Sequence, residues 1–223
     1  MLIKNKIIFI IIFILFSFNV FANNIDIEII GNDHTDTDVV YSLLKDKPES
    51  LNSEYSNYLM KQLNQSGLFK NVRVEMNTDK YIIYVEEYPS LIKIYYKNNK
   101  RLKDEDFDML EKDLNIFNLN TNKINKFIEQ IKEIYKSFGY NQINIELKSE
   151  VYEQSNTANL YLQINEGEIT KINNIYFIGN SNFDDDILKS KIKSKIKSLS
   201  NIFANNNFKL FQVESDTRRI ENY

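Results

Sequence analysis

The chain has 223 residues with 43% apolar content and 13% aromatics, enough for one large domain or two to three small packed ones. Zero cysteines exclude disulfides, cysteine nucleophiles and thiolate metal sites. A formal net charge of −3 provides no broad basic field for a nucleic-acid backbone.

Lys4 and Lys6 precede the apolar run Ile7 to Phe16, and Val20-Phe21-Ala22 places small-to-medium residues before Asn23. A basic segment, a short apolar core and a V-x-A site predict a secretory signal peptide over residues 1–22, cut between Ala22 and Asn23. The apolar core is shorter than the roughly 20 residues that span a bilayer, which disfavours the alternative of a retained anchor helix.

Ile25-Asp26-Ile27-Glu28-Ile29 alternates in the manner of a half-buried strand and closes on Gly31-Asn32. Thr35 or Asp36 then caps a helix facing inward through Val39, Val40, Leu43 and Leu44, ended near Pro48. A second helix starts near Asn52-Ser53, carries Tyr55, Leu59 and Leu63 on one stripe, and stops at Gly67. Val72-Arg73-Val74-Glu75-Met76 and Tyr81-Ile82-Ile83-Tyr84-Val85 flank a turn. The order is β-α-α-β-β.

The same order recurs. Ile92 to Tyr96 is a strand, Asp104 or Glu105 opens a helix with Phe107, Leu110 and Leu114, and Ile124, Phe127, Ile128, Ile131, Ile134, Tyr135 and Phe138 stripe a second helix ended by Gly139. Ile143-Asn144-Ile145-Glu146-Leu147 alternates, and Ser155-Asn156-Thr157 turns into Leu160 to Ile164. Phe69 precedes Val72 by three residues, as Tyr140 precedes Ile143. A third unit opens with Ile175-Tyr176-Phe177-Ile178-Gly179-Asn180, and the turn residues Gly31, Asn98 and Gly179 lie 67 and 81 residues apart. Its first helix carries Ile187, Leu188, Ile192 and Ile196, its second is expected to begin near Ser215-Asp216, and Tyr223 comes before any strand pair. The expected domains are 23–90, 91–169 and a partial 170–223, this last being partly formed for want of its hairpin.

These repeats resemble the POTRA (polypeptide-transport-associated) domain, and the array is similar to the periplasmic part of the BamA outer-membrane protein assembly factor family. The resemblance rests on the junctions. Val85-Glu86-Glu87-Tyr88-Pro89 leads into an apolar strand, and Ile164-Asn165-Glu166-Gly167-Glu168 leads to Ile175-x-Phe177-x-Gly179-Asn180. It departs from the pattern at Asn98, which stands for the usual turn glycine, and in the absence of the family's membrane barrel. The implied fold class is α+β: tandem three-stranded mixed sheets, each covered on one face by two helices. The last strand is then central, leaving Val72, Arg73, Val74, Glu75 and Met76, and Ile143, Asn144, Ile145, Glu146 and Leu147, on edges able to accept a client strand. Charge on Arg73, Glu75 and Lys148 equally suits edges that are merely solvated. Glu87, Pro89, Glu166 and Gly167 mark short inter-domain junctions that restrict domain angles.

The resemblance implies unfolded outer-membrane protein clients, assembly-complex lipoproteins as partners, a place at the periplasmic face of the outer membrane, and no cofactor. Rival readings are the periplasmic arm of a translocation or two-partner secretion pore, and a membrane-tethered periplasmic interaction protein. No catalytic or metal residue is expected. The acidic run Asp33 to Asp38 lacks the glycine and distal glutamate of a calcium loop, His34 is the sole histidine, and helix capping accounts for the acids. Asp184 to Asp186 sits at the equivalent helix start, and Lys189 to Lys197 reads as the solvated face of a helix.

Overall fold

The computed structural model describes residues 25–44, 50–197 and 203–223. The signal segment, the Ala22–Asn23 cleavage site and Pro48 lie outside the described residues. The chain divides into two compact units between Glu87 and Tyr88.

The first unit runs β1 (Asp26–Ile30), α1 (Thr37–Ser42), α2 (Ser53–Ser66), β2 (Phe69–Met76) and β3 (Lys80–Glu87). Its sheet order is β1-β3-β2, with β1 parallel and β2 antiparallel to β3. The hairpin residues Asn77 to Asp79 fix the antiparallel pair, while the two helices supply the crossover that a parallel pair requires. Asp36 caps α1 by accepting from the Asp38 amide at 2.9 Å, and Asn52 caps α2 by accepting from Tyr55 at 2.7 Å. The helix stripe Leu59 and Leu63 and the strand residues Tyr81 and Ile83 are fully buried against Val40. Each buried leucine contributes roughly 1.5–3 kcal/mol relative to exposure.

The second unit repeats the plan with β4 (Ser90–Lys97), α3 (Asp104–Asp113), α4 (Thr121–Ser137), β5 (Asn144–Tyr152) and β6 (Thr157–Asn165), in sheet order β4-β6-β5. Phe107, Phe127, Ile131 and Tyr135 pack on Leu160, Leu162 and Ile164 of the central strand. Ile143 lies one residue ahead of β5, packed at the margin of this core.

The same compact unit includes residues 170–223, with α5 (Asp185–Lys191) and α6 (Leu210–Glu221). Three expectations are corrected here. Ile175 to Ile178 belongs to no sheet, and Tyr176 and Ile178 are 78% and 97% exposed. Among the described residues no strand lies beside it, so its backbone groups have no ladder to join. Second, α5 ends at Lys191, so the basic run through Lys197 is not one helix, although Leu188 and Ile192 are buried. Third, α6 begins at Leu210 rather than near Ser215-Asp216. Asp216 is not a helix cap: its buried carboxylate accepts from the Lys193 and Ser194 amides, both at 2.8 Å, and from Arg219 at 2.9 Å. Burial opposes its charge, and these bonds with that from Gln212 outweigh the penalty, holding it below the usual carboxylate range.

Candidate functional site

The turn after each opening strand has one construction. Gly31, Asn98 and Gly179 all adopt positive φ, at 95°, 66° and 84°, so asparagine serves in the second unit where the others use glycine. The next residue is asparagine in all three. Asn32 Nδ2 donates to the Thr35 carbonyl at 3.0 Å and Thr37 Oγ1 at 2.9 Å, and Asn99 Nδ2 to the Leu102 carbonyl at 3.1 Å and Asp104 Oδ1 at 2.8 Å. Asn180 Nδ2 donates to the Phe183 carbonyl and Asp185 Oδ1, both at 2.9 Å. One side chain thus ties the carbonyl three residues on and the side chain five residues on, bending the strand into its helix.

In the complete units a glutamate at the end of the central strand fastens this turn. Glu87 Oε2 accepts from the His34 amide at 3.0 Å and lies 3.1 Å from His34 Nδ1. Its side chain is only 6% exposed. Burial raises its pKa, but hydrogen bonds from Thr35 and His34 outweigh burial and hold it below the ordinary 4.5. Glu166 Oε1 accepts from the Arg101 amide at 2.7 Å and the Tyr135 hydroxyl at 2.9 Å. Burial first, then this bond to Glu166, push the Tyr135 phenol well above its usual value. His34 and Arg101 occupy the same place in their turns, three residues past the positive-φ residue. Glu87 and Glu166, expected at junctions, each brace their own unit. Pro89 accepts from the Leu119 amide at 2.9 Å within the second unit, and Gly167 has φ of 66° with Gln142 Cβ 3.2 Å from where a Cβ would stand.

With β3 and β6 central, the outer strands are the edges, β1 and β2 in the first sheet and β4 and β5 in the second, and β2 and β5 each lack a neighbour on the outer side among the described residues. Val72, Arg73, Val74, Glu75 and Met76 lie on β2, and Asn144, Ile145, Glu146 and Leu147 on β5. Arg73 pairs with Glu75 and lies 4.2 Å over the Tyr84 ring, and Met76 is 49% exposed. The longer edge is β5, nine residues with neither proline nor glycine. Glu146, Lys148 and Glu150 alternate along its solvent side beside Tyr161, whose hydroxyl donates to Glu150 at 3.0 Å. The other side carries Ile145, Leu147, Ser149 and Val151, apolar but for the serine, with Leu147 and Val151 still 44% and 38% exposed. The helices leave this apolar row half covered.

A cavity of about 690 Å³ lies in the 170–223 segment, between Ile172–Phe177 and α6, lined by Ile175, Phe177, Phe208, Val213 and Ile220. In the complete units the corresponding space beside the opening strand holds the central strand. No cluster of three or more potential metal-ligating side chains occurs among the described residues, and no helix there is long and apolar enough to cross a membrane.

The fold defines a class: tandem α+β domains of β-α-α-β-β order, each built round a buried central strand and open at its sheet edges. Over most of its length the chain is similar to curated proteins named outer membrane protein assembly factor BamA. It is 27% identical over 168 residues to that of Neisseria meningitidis serogroup B, covering 72% of this chain and 20% of the relative. It is 26% identical over 184 residues to that of Neorickettsia risticii, covering 81% and 24%. The chain thus spans only about a fifth to a quarter of these relatives' length. Solved structures with a similar arrangement include the N-terminal domain of Omp85 from Thermosynechococcus elongatus (16% identity, TM-score 0.45, 89% of this chain and 84% of that one). Another is the POTRA3-5 segment of Haemophilus influenzae BamA (13% identity, TM-score 0.43, 88% and 83%). No family model matches the chain.

Proposed function

We propose that this chain is an exported, non-enzymatic POTRA region of an outer-membrane protein assembly factor, working at the periplasmic face of that membrane. It binds unfolded β-barrel clients and partner subunits, lipoproteins among them, by adding their extended segments to β2 and β5. The observation that carries the reading is β5: a nine-residue edge with alternating charges on one side and a half-covered apolar row on the other. Main-chain pairing gives affinity without demanding a sequence, and Ile145, Leu147 and Val151 favour a strand apolar at every second residue. Similarity to BamA proteins supports the choice of client.

Proline scanning from Asn144 to Val151 and from Val72 to Met76 tests it, with folding checked by circular dichroism. At positions whose amide points away from the central strand, proline removes an outward donor and leaves the internal ladder intact. Binding of an unfolded outer-membrane protein should fall about tenfold or more at these positions, the loss of one or two hydrogen bonds to a docked strand. Folded proline variants that bind as the parent does would refute strand addition.

A further inference from the structure

We propose that Asn207 and Gly139 form a clamp that holds residues 170–223 and the β4–β6 domain together as one rigid body, with Asn207 as the positioning residue. This goes beyond the docking edges and does not rest on them. Three strands of backbone meet at the clamp. The chain leaving β6 pairs with the stretch before α6: the Ile172 amide donates to the Asn206 carbonyl at 2.7 Å, and the Phe208 amide to the Thr170 carbonyl at 2.8 Å. Both then fasten to the turn after α4. The Thr170 amide donates to the Gly139 carbonyl at 2.9 Å, and Asn141 Nδ2 donates to that carbonyl at 3.1 Å and to the Phe208 carbonyl at 3.0 Å.

Asn207 joins all three. Its Nδ2 donates to the Phe138 carbonyl, the C-cap of α4, at 3.2 Å, and its Oδ1 accepts from the Lys171 ammonium. The packing is close enough to require glycine: a Cβ on Gly139 would stand 3.1 Å from Asn207 Cβ and 3.2 Å from Ile169 Cγ2, and φ there is 101°. A hinge needs backbone free to rotate, whereas here the connecting residues are hydrogen-bonded on both sides. The pairing is a device of the repeat. In the second unit the incoming linker is held the same way, by Leu119 N to Pro89 O and Leu91 N to Phe117 O, around Ser90 and Asn118 where the later one has Lys171 and Asn207. The clamp thereby fixes where the α5–α6 segment stands relative to β5, since Asn141 is three residues ahead of that strand.

The absence of native cysteine makes the test direct. Spin labels at Lys126→Cys and Ser190→Cys span the clamp, and labels at Lys126→Cys and Lys148→Cys stay within the β4–β6 domain. Pulsed electron paramagnetic resonance on the full chain should give a narrow distribution for both pairs. With Asn207→Ala the spanning distribution should broaden to at least about twice its width, as expected for a released segment, while the internal pair is unchanged. Asn207→Asp, which keeps the Lys171 contact and loses the donor to Phe138, should broaden it too. A spanning distribution already broad in the parent, or unchanged in both variants, would overturn the clamp. Broadening of the internal pair as well would also overturn it, since Asn207 would then be supporting the domain rather than positioning its neighbour.

Discussion

Glu166→Ala isolates the fastening of the opening turn in the second unit. The carboxylate accepts the Arg101 amide at 2.7 Å and the Tyr135 hydroxyl at 2.9 Å, and Tyr135 is fully buried. Hydrogen bonds to a charged partner contribute about 1.5–3 kcal/mol each, and leaving a buried hydroxyl unpaired costs about 1–3 kcal/mol. The two overlap, so the total expected for alanine is about 3 kcal/mol. Glu166→Gln keeps an acceptor oxygen in place and loses only the charge, so about 1 kcal/mol is expected. Whole-chain unfolding mixes two compact units, which makes a single transition ambiguous. Native-state hydrogen exchange of the Leu160 and Leu162 amides reads the second unit alone, because these belong to its buried central strand. The equivalent amides in the first unit, at Tyr81 and Ile83, serve as an internal control and should not change. A loss under about 0.5 kcal/mol for alanine would place the substitution among ordinary surface changes and refute the bracing role. Equal losses for alanine and glutamine would refute the ranking by charge.

Gly31→Ala should cost about 3 kcal/mol or more, since its Cβ would stand 2.2 Å from the Val85 carbonyl oxygen and φ is 95°. Gly179→Ala has nothing within 4 Å and should cost only the backbone strain, about 1–2 kcal/mol; native-state hydrogen exchange read in each variant's own unit checks the contrast. Because Glu87 is held below the ordinary carboxylate value of 4.5, its contribution is present above that pH and lost as pH falls through the folded value. Acid titration of first-unit stability should therefore show a component that Glu87→Gln removes, and identical profiles would refute it. The Tyr135 phenol, raised above 10, gives the opposite sign: its contribution is intact below pH 10 and disappears as pH rises through the folded value, which a Tyr135→Phe comparison at alkaline pH would reveal. Amides of Ile175 to Ile178 should exchange far faster than their counterparts Ile94 to Lys97, and equal protection would contradict the absence of a partner strand.

The contrast between the glycines explains what was legible in the sequence. Signals carried by neighbouring residues were plain: the Leu59 and Leu63 stripe, the wide face of α4, and the positive-φ turn residues at Gly31, Asn98 and Gly179 with their two spacings. The antiparallel hairpin followed from the tight turn between its strands, whereas the central place of the last strand came only with the resemblance to POTRA domains. What stayed hidden depended on atoms far apart in the chain. Glu87 and Glu166 read as linker residues because they end strands beside short connections, and only the fold brings them onto His34 and Arg101, 53 and 65 residues earlier. The shared 67-residue offset of those two turn positions was a usable signal, as was the asparagine following each positive-φ residue. Asp216 misled for a related reason. An acid after a serine resembles a helix start, yet this one is buried against the Lys193 and Ser194 amides. Ile175 to Ile178 misled in the other direction. Its composition is that of a strand, but a strand is a pairing, and the Gly179 turn stands open where Gly31 is pressed against Val85. Local propensity specifies what a segment will do given a neighbour, and the presence of that neighbour separates β1 and β4 from their third counterpart.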